Sequence, residues 1–364
     1  MHMHRRRFLI GSGVALAGAG AILGEVGRMG SMDEYTASVS AARVPLAARP
    51  EFADLIRFAT LAPNGHNTQP WRFRIDDNRI EILPDFTRRT PVVDPDDHHV
   101  FVSLGCAAEN LSLASAARNR PGVVRVNPAN EGSVVFTAGG GAVAEPALFE
   151  AIRHRQSTRA DYDGRPVGVD ELRTLAAAAA MPGVDVVLLT ERTQMDHVRD
   201  LIVAGNTEQI ADAAFVRELK SWLRFSPRHA LESGDGLFSA ASGSPILPEW
   251  LGPHLFDMVY RVGPENDRYA RQLRTSAGVA VFVSERADID HWVRAGRACQ
   301  RFALQATALG LRHAFVNQPV EVAHLRPELA ALVGMSGRRP DIVMRFGYGP
   351  TTPYSARRAA VIVA

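Results

Sequence analysis

With 364 residues the chain exceeds the roughly 100–200 of one ordinary domain, so two domains or a duplicated unit are expected. Its 46% hydrophobic and 22% charged content is that of a globular protein, which excludes a disordered or collagen-like chain. With 41 basic against 39 acidic residues and no basic patch beyond the N-terminus, nucleic-acid binding has no electrostatic support.

The chain opens with His4-Arg5-Arg6-Arg7-Phe8-Leu9-Ile10, and an uncharged Ala/Gly-rich run follows from Phe8 to Gly24. This is a charged n-region before a weakly hydrophobic h-region, and Arg5-Arg6-Arg7-Phe8-Leu9 resembles a twin-arginine export signal. Residues 1–45 are therefore read as a signal and a polar linker, with a weak small-residue cleavage site at Val39-Ser40-Ala41. The resemblance implies the twin-arginine machinery as a partner. It places the protein in the periplasm, or anchored at the outer face of the membrane. That route carries folded proteins, which suits a chain that acquires an organic cofactor before export.

Beyond the linker, apolar residues at Phe52, Leu55, Ile56 and Ala59 predict a helix. Pro63 to Pro70 is a polar loop, and alternation in Trp71–Ile75 and Arg79–Ile82 predicts a hairpin turning at Asp77-Asn78. Strands are predicted at Val123–Val126, Val134–Phe136, Val184–Leu189, Gly278–Val283, Ala314–Asn317 and Ile342–Gly347. Helices are predicted at Leu148–Arg155 and Val169–Ala180. Two Ala-rich helical stretches look alike: Gly105 aligns with Gly296, Leu111 with Phe302 and Leu113 with Leu304, the mark of an internal repeat. Strands and helices mix without strict alternation, so the fold class is α+β, mixed sheets flanked by helices. From about 224 to 268 periodicity fades among Gly, Pro and scattered aromatics, which reads as a lid. A plain surface insertion is the competing reading.

Some chemistries are excluded. Lys220 is the only lysine and no Gly-Lys-Ser/Thr sequence exists, so there is no P-loop. Cys106 and Cys299 are too few for a disulfide framework or a cysteine-rich metal site and are expected to be buried. His98-His99 after Asp94-Pro95-Asp96-Asp97 reads as an acidic helix start; no metal site is expected.

Three segments carry chemistry. Arg153-His154-Arg155-Gln156-Ser157-Thr158-Arg159 gathers cations and hydroxyls at a helix end, donors suited to a phosphate, although a solvated helix end looks the same. The loop Pro63-Asn64-Gly65-His66-Asn67-Thr68-Gln69 presents amides to a polyol or heteroaromatic ring. Arg357-Arg358, near the C-terminus, can join the first arginines around one phosphate.

Together these segments resemble the flavin-dependent nitroreductase superfamily. Arg155-Gln156-Ser157-Thr158-Arg159 is similar to its Arg-x-Ser-x-Arg/Lys phosphate motif, and Ala62 to Trp71 to its Ala-Pro-Ser-x-x-Asn-x-Gln-Pro-Trp loop. Ala308-Leu309-Gly310-Leu311 with Asn317-Gln318-Pro319 is similar to the segment that faces its flavin, and Gly347-Tyr348-Gly349 with Arg357-Arg358 to its C-terminal arm. The order departs from the family. The loop precedes the arginine motif, and each half lacks what the other keeps. The chain thus resembles the tandem-fused, Acg-like branch: a fused pseudo-dimer with halves at 46–147 and 148–364 and one site between them.

The resemblance implies FMN as cofactor. It implies a phosphate held by Arg155, Ser157, Arg357 and Arg358, with Gln156 in the same motif and Arg159 near the pyrimidine edge. Pro63, Asn64, Gly65 and Asn67 would reach across from the first half, and Asn317 and Gln318 would face the ring. No side chain is assigned a catalytic role of its own, because the flavin carries the chemistry. NAD(P)H or another reductant and a nitroaromatic, quinone or similar small acceptor would be the partners. The alternative is a flavin-sequestering protein with a closed lid and little turnover.

Overall fold

The computed structural model describes residues 28–141 and 143–363. In chain order the helices are α1 (Met32–Ala41), α2 (Phe52–Thr60), α3 (His98–Ala116), α4 (Pro146–Ala151), α5 (Val169–Ala179), α6 (Arg192–Ala211), α7 (Ala213–Ser221), α8 (Pro227–Ser233), α9 (Gly252–Val259), α10 (Val262–Arg274), α11 (Ile289–Ala308), α12 (Gln318–Glu321) and α13 (Arg326–Leu332). The strands are β1 (Trp71–Asp76), β2 (Arg79–Pro84), β3 (Gly122–Asn127), β4 (Ser133–Ala138), β5 (Val184–Leu189), β6 (Leu223–Arg224), β7 (Leu237–Phe238), β8 (Gly278–Ser284), β9 (Arg312–Phe315), β10 (Pro340–Gly347) and β11 (Ile362–Val363).

The α+β expectation holds. One sheet runs β11-β1-β2-β4-β3 and a second runs β5-β8-β10-β9. The first is mixed, because β11 lies parallel to β1 with Phe73 opposite Ile362. The second is antiparallel throughout.

Between the two sheets α3 crosses α11. Every residue of α3 except His99 is buried, as its apolar, small-residue sequence requires. Glycines set the separation. A Cβ on Gly105 would overlap the Val293 carbonyl, and one on Gly296 would overlap that of Val102. Below the crossing Arg301 Nη1 donates to Glu109 (2.9 Å) and Gln300 Nε2 donates to Asn110 (2.6 Å). Exchanging each residue for its aligned counterpart turns one glycine contact into the other, and one polar pair into the other. The crossing therefore has a local two-fold relation that the sequence similarity foreshadows.

Three expectations need correction. The stretch read as linker contains α1, whose Tyr35 (0% exposed) and Val39 (4%) are buried against Phe238 and Ala356. A boundary at 148 divides α4. Its Leu148, Phe149 and Ala151 complete the first core, with Phe149 stacked on Phe58 at 5.6 Å. The C-terminal strand also returns to the first sheet, so the sequence halves are not the spatial ones. Finally, the stretch 224–268 is not irregular throughout: it holds α8 and α9 and the start of α10. Short helical segments ended by Gly234 and Gly243, with α9 starting anew at Gly252-Pro253, give no sustained period.

Candidate functional site

Helix α2 ends at Thr60, and its last carbonyls need partners. Two arginines, distant in sequence, supply them. Arg357 Nε donates to Thr60 O (2.7 Å) and its Nη2 to Ala62 O (3.2 Å), while Arg155 Nη2 donates to Leu61 O (3.0 Å). A cation at a helix C-terminus also answers the negative end of the dipole. The motif after α4 and the C-terminal arm thus converge on one point.

The loop after α2 is conformationally demanding. His66, Asn67 and Gln69 take positive φ of 46°, 55° and 54°. Non-glycine residues adopt this region only where surrounding bonds enforce it. Here they do. Asn67 Nδ2 donates to Gly236 O and Ala356 O (both 3.1 Å), and its Oδ1 accepts from Arg357 Nη1 (2.7 Å). Gln69 Nε2 donates to Gly234 O (2.8 Å), and its Oε1 accepts from Arg358 N (3.1 Å). Asn64 turns inward instead: its Oδ1 accepts from Gln69 N (2.8 Å) and its Nδ2 donates to Ala62 O (3.2 Å). Pro63 is buried, and Gly65 is exposed with open space around it.

The arginine motif is anchored at both ends. Ser157 bridges to His313 on β9, and Thr158 N donates to His313 O (2.8 Å). Gln156 Oε1 accepts from Thr352 N (2.7 Å), which ties the motif to the C-terminal arm. Arg159 is exposed, and its Nη1 donates to Ser242 Oγ (3.0 Å) in the stretch read as a lid. Arg358 donates to Gln69 O and Trp71 O (both 2.9 Å) and faces Asp85. Its charge is therefore partly answered within the protein.

The electrostatics single out one spot. Arg43, just after α1, is 8% exposed; Arg155 is 3% exposed; Arg357 is half-buried. Among the described residues none of the three pairs with a carboxylate. Burial, with Arg155 adding to it, brings the Arg43 guanidinium down to about 10. Burial brings Arg155 to about 10 as well. Arg357 is pushed well below its ordinary value by burial, then by Arg43 and Arg155. Arg155 Nε and Nη1 and Arg43 Nε are buried without a hydrogen-bond partner. Beside Arg155, both ring nitrogens of the fully buried His313 lack partners too. Unpaired buried cations are costly, so this cluster is built for an anion. A phosphate monoester, with three acceptor oxygens, fits the donor set.

Asn317 and Gln318 do not meet the arginines. Asn317 Oδ1 accepts from Val343 N (2.9 Å), which turns its Nδ2 toward His99 Nε2 at 3.4 Å. Gln318 is buried against Gly205. His66, lowered to about 4 by burial and then by Arg159 and His99, links this group electrostatically to the motif.

Asp94, His98 and His99 place ligand atoms within 4.8 Å of one another. They also form the start of a helix. Asp94 accepts from His99 N (3.0 Å) and Val100 N (3.2 Å) at the positive end of α3, and His98 Nε2 pairs with Asp341 (3.0 Å). A separate groove of about 910 Å³, lined by Phe86, Phe101 and Trp292, shares no lining residue with the arginine cluster. Its carboxylates Asp96, Asp97, Asp288 and Asp290 pair with Arg339, Arg89, Arg286 and Arg294.

Sequence reasoning missed Arg43, His99 and His313. For Arg43 a signal existed: Ser31-Met32-Asp33-Glu34 is a helix-start pattern, and Ser31 Oγ accepts from Glu34 N (3.1 Å). For His313 none did, because nothing local shows which groups it faces; His99 was read only as part of a helix start, and Asp94 is its local partner.

No protein-family model matches the chain. Among curated proteins it is similar to the "Putative NAD(P)H nitroreductase Rv3131" of Mycobacterium tuberculosis, 28% identical over 305 residues, covering 81% of this chain and 84% of that protein. It is also similar to the "Putative NAD(P)H nitroreductase acg" of the same species, 22% identical over 312 residues, covering 81% and 88%. Solved structures that match in part include the FMN-dependent nitroreductase NfnB of Mycobacterium smegmatis in complex with NADPH. That match has 13% identity and a TM-score of 0.37, covering 56% of this chain and 88% of that one. A nitroreductase with bound FMN from Desulfitobacterium hafniense matches at 15% identity and TM-score 0.37, covering 58% and 94%.

Proposed function

We propose that this chain is an FMN-dependent oxidoreductase of nitroreductase type, taking electrons from NAD(P)H and passing them to nitroaromatic, quinone or similar acceptors. The observation that carries the reading is the arginine cluster: Arg155 leaves two buried donors unpaired, with Arg43 and Arg357 beside it, and among the described residues no carboxylate answers any of the three. The curated relatives' names and the loop from Ala62 to Trp71 support the same reading.

FMN, when bound, supplies hydride acceptance and donation at its ring. The chain's residues supply the rest. Arg155 holds the phosphate through its two bare donors, Arg357 adds its charge while its donors stay on the protein, Ser157 adds a hydroxyl, and Gln156 fixes the motif against the C-terminal arm. Arg159 would offer the bound group a cation, a charge that favours taking up electrons. The loop 63–67 approaches from the first half. In this reading the chain is a fused pseudo-dimer, which the reciprocal contacts of Gly105 and Gly296 support. The motif Arg5-Arg6-Arg7-Phe8-Leu9 lies outside the described residues, and export by the twin-arginine route is part of the proposal. No described helix is long and apolar enough to cross a membrane.

A second reading, flavin retention with little turnover, draws on one observation. The lid segment is tied down on both sides, by Gly236 N to Asn67 O (3.2 Å) and by Arg159 Nη1 to Ser242 Oγ (3.0 Å). Two measurements test the pair. The purified protein should absorb in the flavin band and release FMN on denaturation; a colourless protein that takes up no FMN overturns both readings. Steady NADPH oxidation with a quinone acceptor supports the enzyme. A flavin that is bound yet not reduced supports retention.

A further inference from the structure

We propose that Arg43, delivered by helix α1, is a third cation of the phosphate site, and that α1 is a strap closing that end of it. The inference rests on the reading of the cluster as an FMN phosphate site. It adds a residue and an element that lie before the two halves inferred from sequence.

The argument starts from α1 itself. Ser31 caps it, and Tyr35 and Val39, four residues apart, present one apolar face. That face is buried in two elements at once. Tyr35 packs on Phe238 of β7 at 4.5 Å between ring centres, and its hydroxyl donates to Tyr354 O (2.7 Å) in the C-terminal arm. The helix therefore bridges the lid segment and the arm that brings Arg357 to the site.

Just past its end the chain turns Arg43 back. Arg43 Nη1 donates to Val39 O (3.0 Å), and the guanidinium lies over the Tyr354 ring at 4.0 Å. These contacts fix the side chain and leave Nε buried and unpaired. No carboxylate among the described residues pairs with the charge. Arg155 repels it, and Tyr354 and Tyr35 offer it phenol rings rather than a counter-ion. Holding a buried guanidinium against two other arginines costs free energy that an anion of two charges recovers. The shared chemistry is a phosphate dianion, whether that of FMN or free phosphate.

The test uses the full chain and three probes: FMN, riboflavin and inorganic phosphate. Arg43→Gln removes the charge and the fork and leaves a shorter, neutral amide donor. It should weaken FMN about 10-fold or more, as losing a charge-assisted hydrogen bond does, and leave riboflavin within about two-fold. Competition of inorganic phosphate with FMN should weaken in parallel. Arg43→Lys, which keeps the charge without the fork, should fall between, and it carries the test if the Gln variant does not fold. Tyr35→Phe, which releases α1 from the arm, should speed FMN release without changing the preference for FMN over riboflavin.

If Arg43→Gln binds FMN as the wild type does while Arg155→Ala loses the preference over riboflavin, Arg43 only packs α1 and this proposal is overturned alone. If the wild type binds FMN and riboflavin equally, the phosphate site falls with it. If inorganic phosphate binds in an Arg43-dependent way but does not compete with FMN, the cluster holds free phosphate and the strap does not serve the flavin.

Discussion

Arg155 spends one donor on Leu61 O and leaves two bare, whereas Arg357 spends its donors on Thr60, Leu61, Ala62, Ala356 and Asn67. The two arginines should therefore behave differently. Arg155→Ala should lower FMN affinity about 10- to 150-fold, the equivalent of roughly 1.5–3 kcal/mol, with riboflavin little affected. Equal losses for both ligands, read by flavin fluorescence titration, would remove Arg155 from the phosphate. Arg357→Ala should also lower thermal stability, because it uncaps α2. The histidines set a pH prediction. Burial holds His66 at about 4, and lowers His98 and His313 as well. The unfolded chain takes up these protons below about 6.5 and the folded chain does not. Stability is therefore intact above about 6.5 and falls as pH drops toward 4. His99 works the other way: against burial, its hydrogen bond and charge contact with Asp94 raise it. Its contribution is present below about 6.5 and fades as pH rises. His66→Gln should reduce the acid slope by about one proton, ~1.4 kcal/mol per pH unit, in urea melts from pH 7 to 4.5. An unchanged slope would mean that His66 is already charged in the folded protein.

At the scale of elements, α3 and α11 depend on two glycines whose missing side chains admit the opposing backbone. Gly105→Ala or Gly296→Ala must push a helix off a carbonyl, which cannot rotate away as a side chain would. Each should cost about 1–3 kcal/mol or more in denaturant unfolding. The double variant should cost less than the sum, because one separation relieves both clashes. Strict additivity would mean that the two contacts relax independently. Most elements were legible in sequence. The spans of β1, β2, β5, β8 and β10 follow from alternation or apolar runs, and α2 from its periodic face. Helix α4 stops at Ala151, four residues short of the expected Arg155, and that shortfall frees the motif to turn toward β9. Helix α1 was read as linker because its single apolar face is only two buried residues wide.

For the whole molecule, the arginine cluster draws on four separated stretches: Arg43 after α1, the end of α2, Arg155 after α4 and Arg357 in the arm. Only one such convergence can be built, since the motif and the arm each occur once in the chain. FMN released by denaturation should therefore approach one per chain, and a value near two would require a second site. Residues 362–363 pair with β1 of the first sheet, while the arm before them leaves β10 of the second and is held by Gln156. The halves cannot separate without breaking that strand.

The sequence by itself determined the periodic elements, the two alike helices and the residue types that suit a phosphate, because each is written in local spacing or composition. It could not determine which arginines stay unpaired. Arg357 and Arg358 look equivalent in sequence and both donate to backbone carbonyls, yet Arg358 also faces Asp85, while Arg357 has no carboxylate beside it among the described residues and faces other cations. Nor could it place Arg43, which lies 112 residues before Arg155 and gains its role only when α1 docks on Phe238 and Tyr354. The physical reason is range. Helix and strand patterns arise from neighbours within a few residues, whereas an uncompensated charge depends on every group packed around it, and only the tertiary structure decides that.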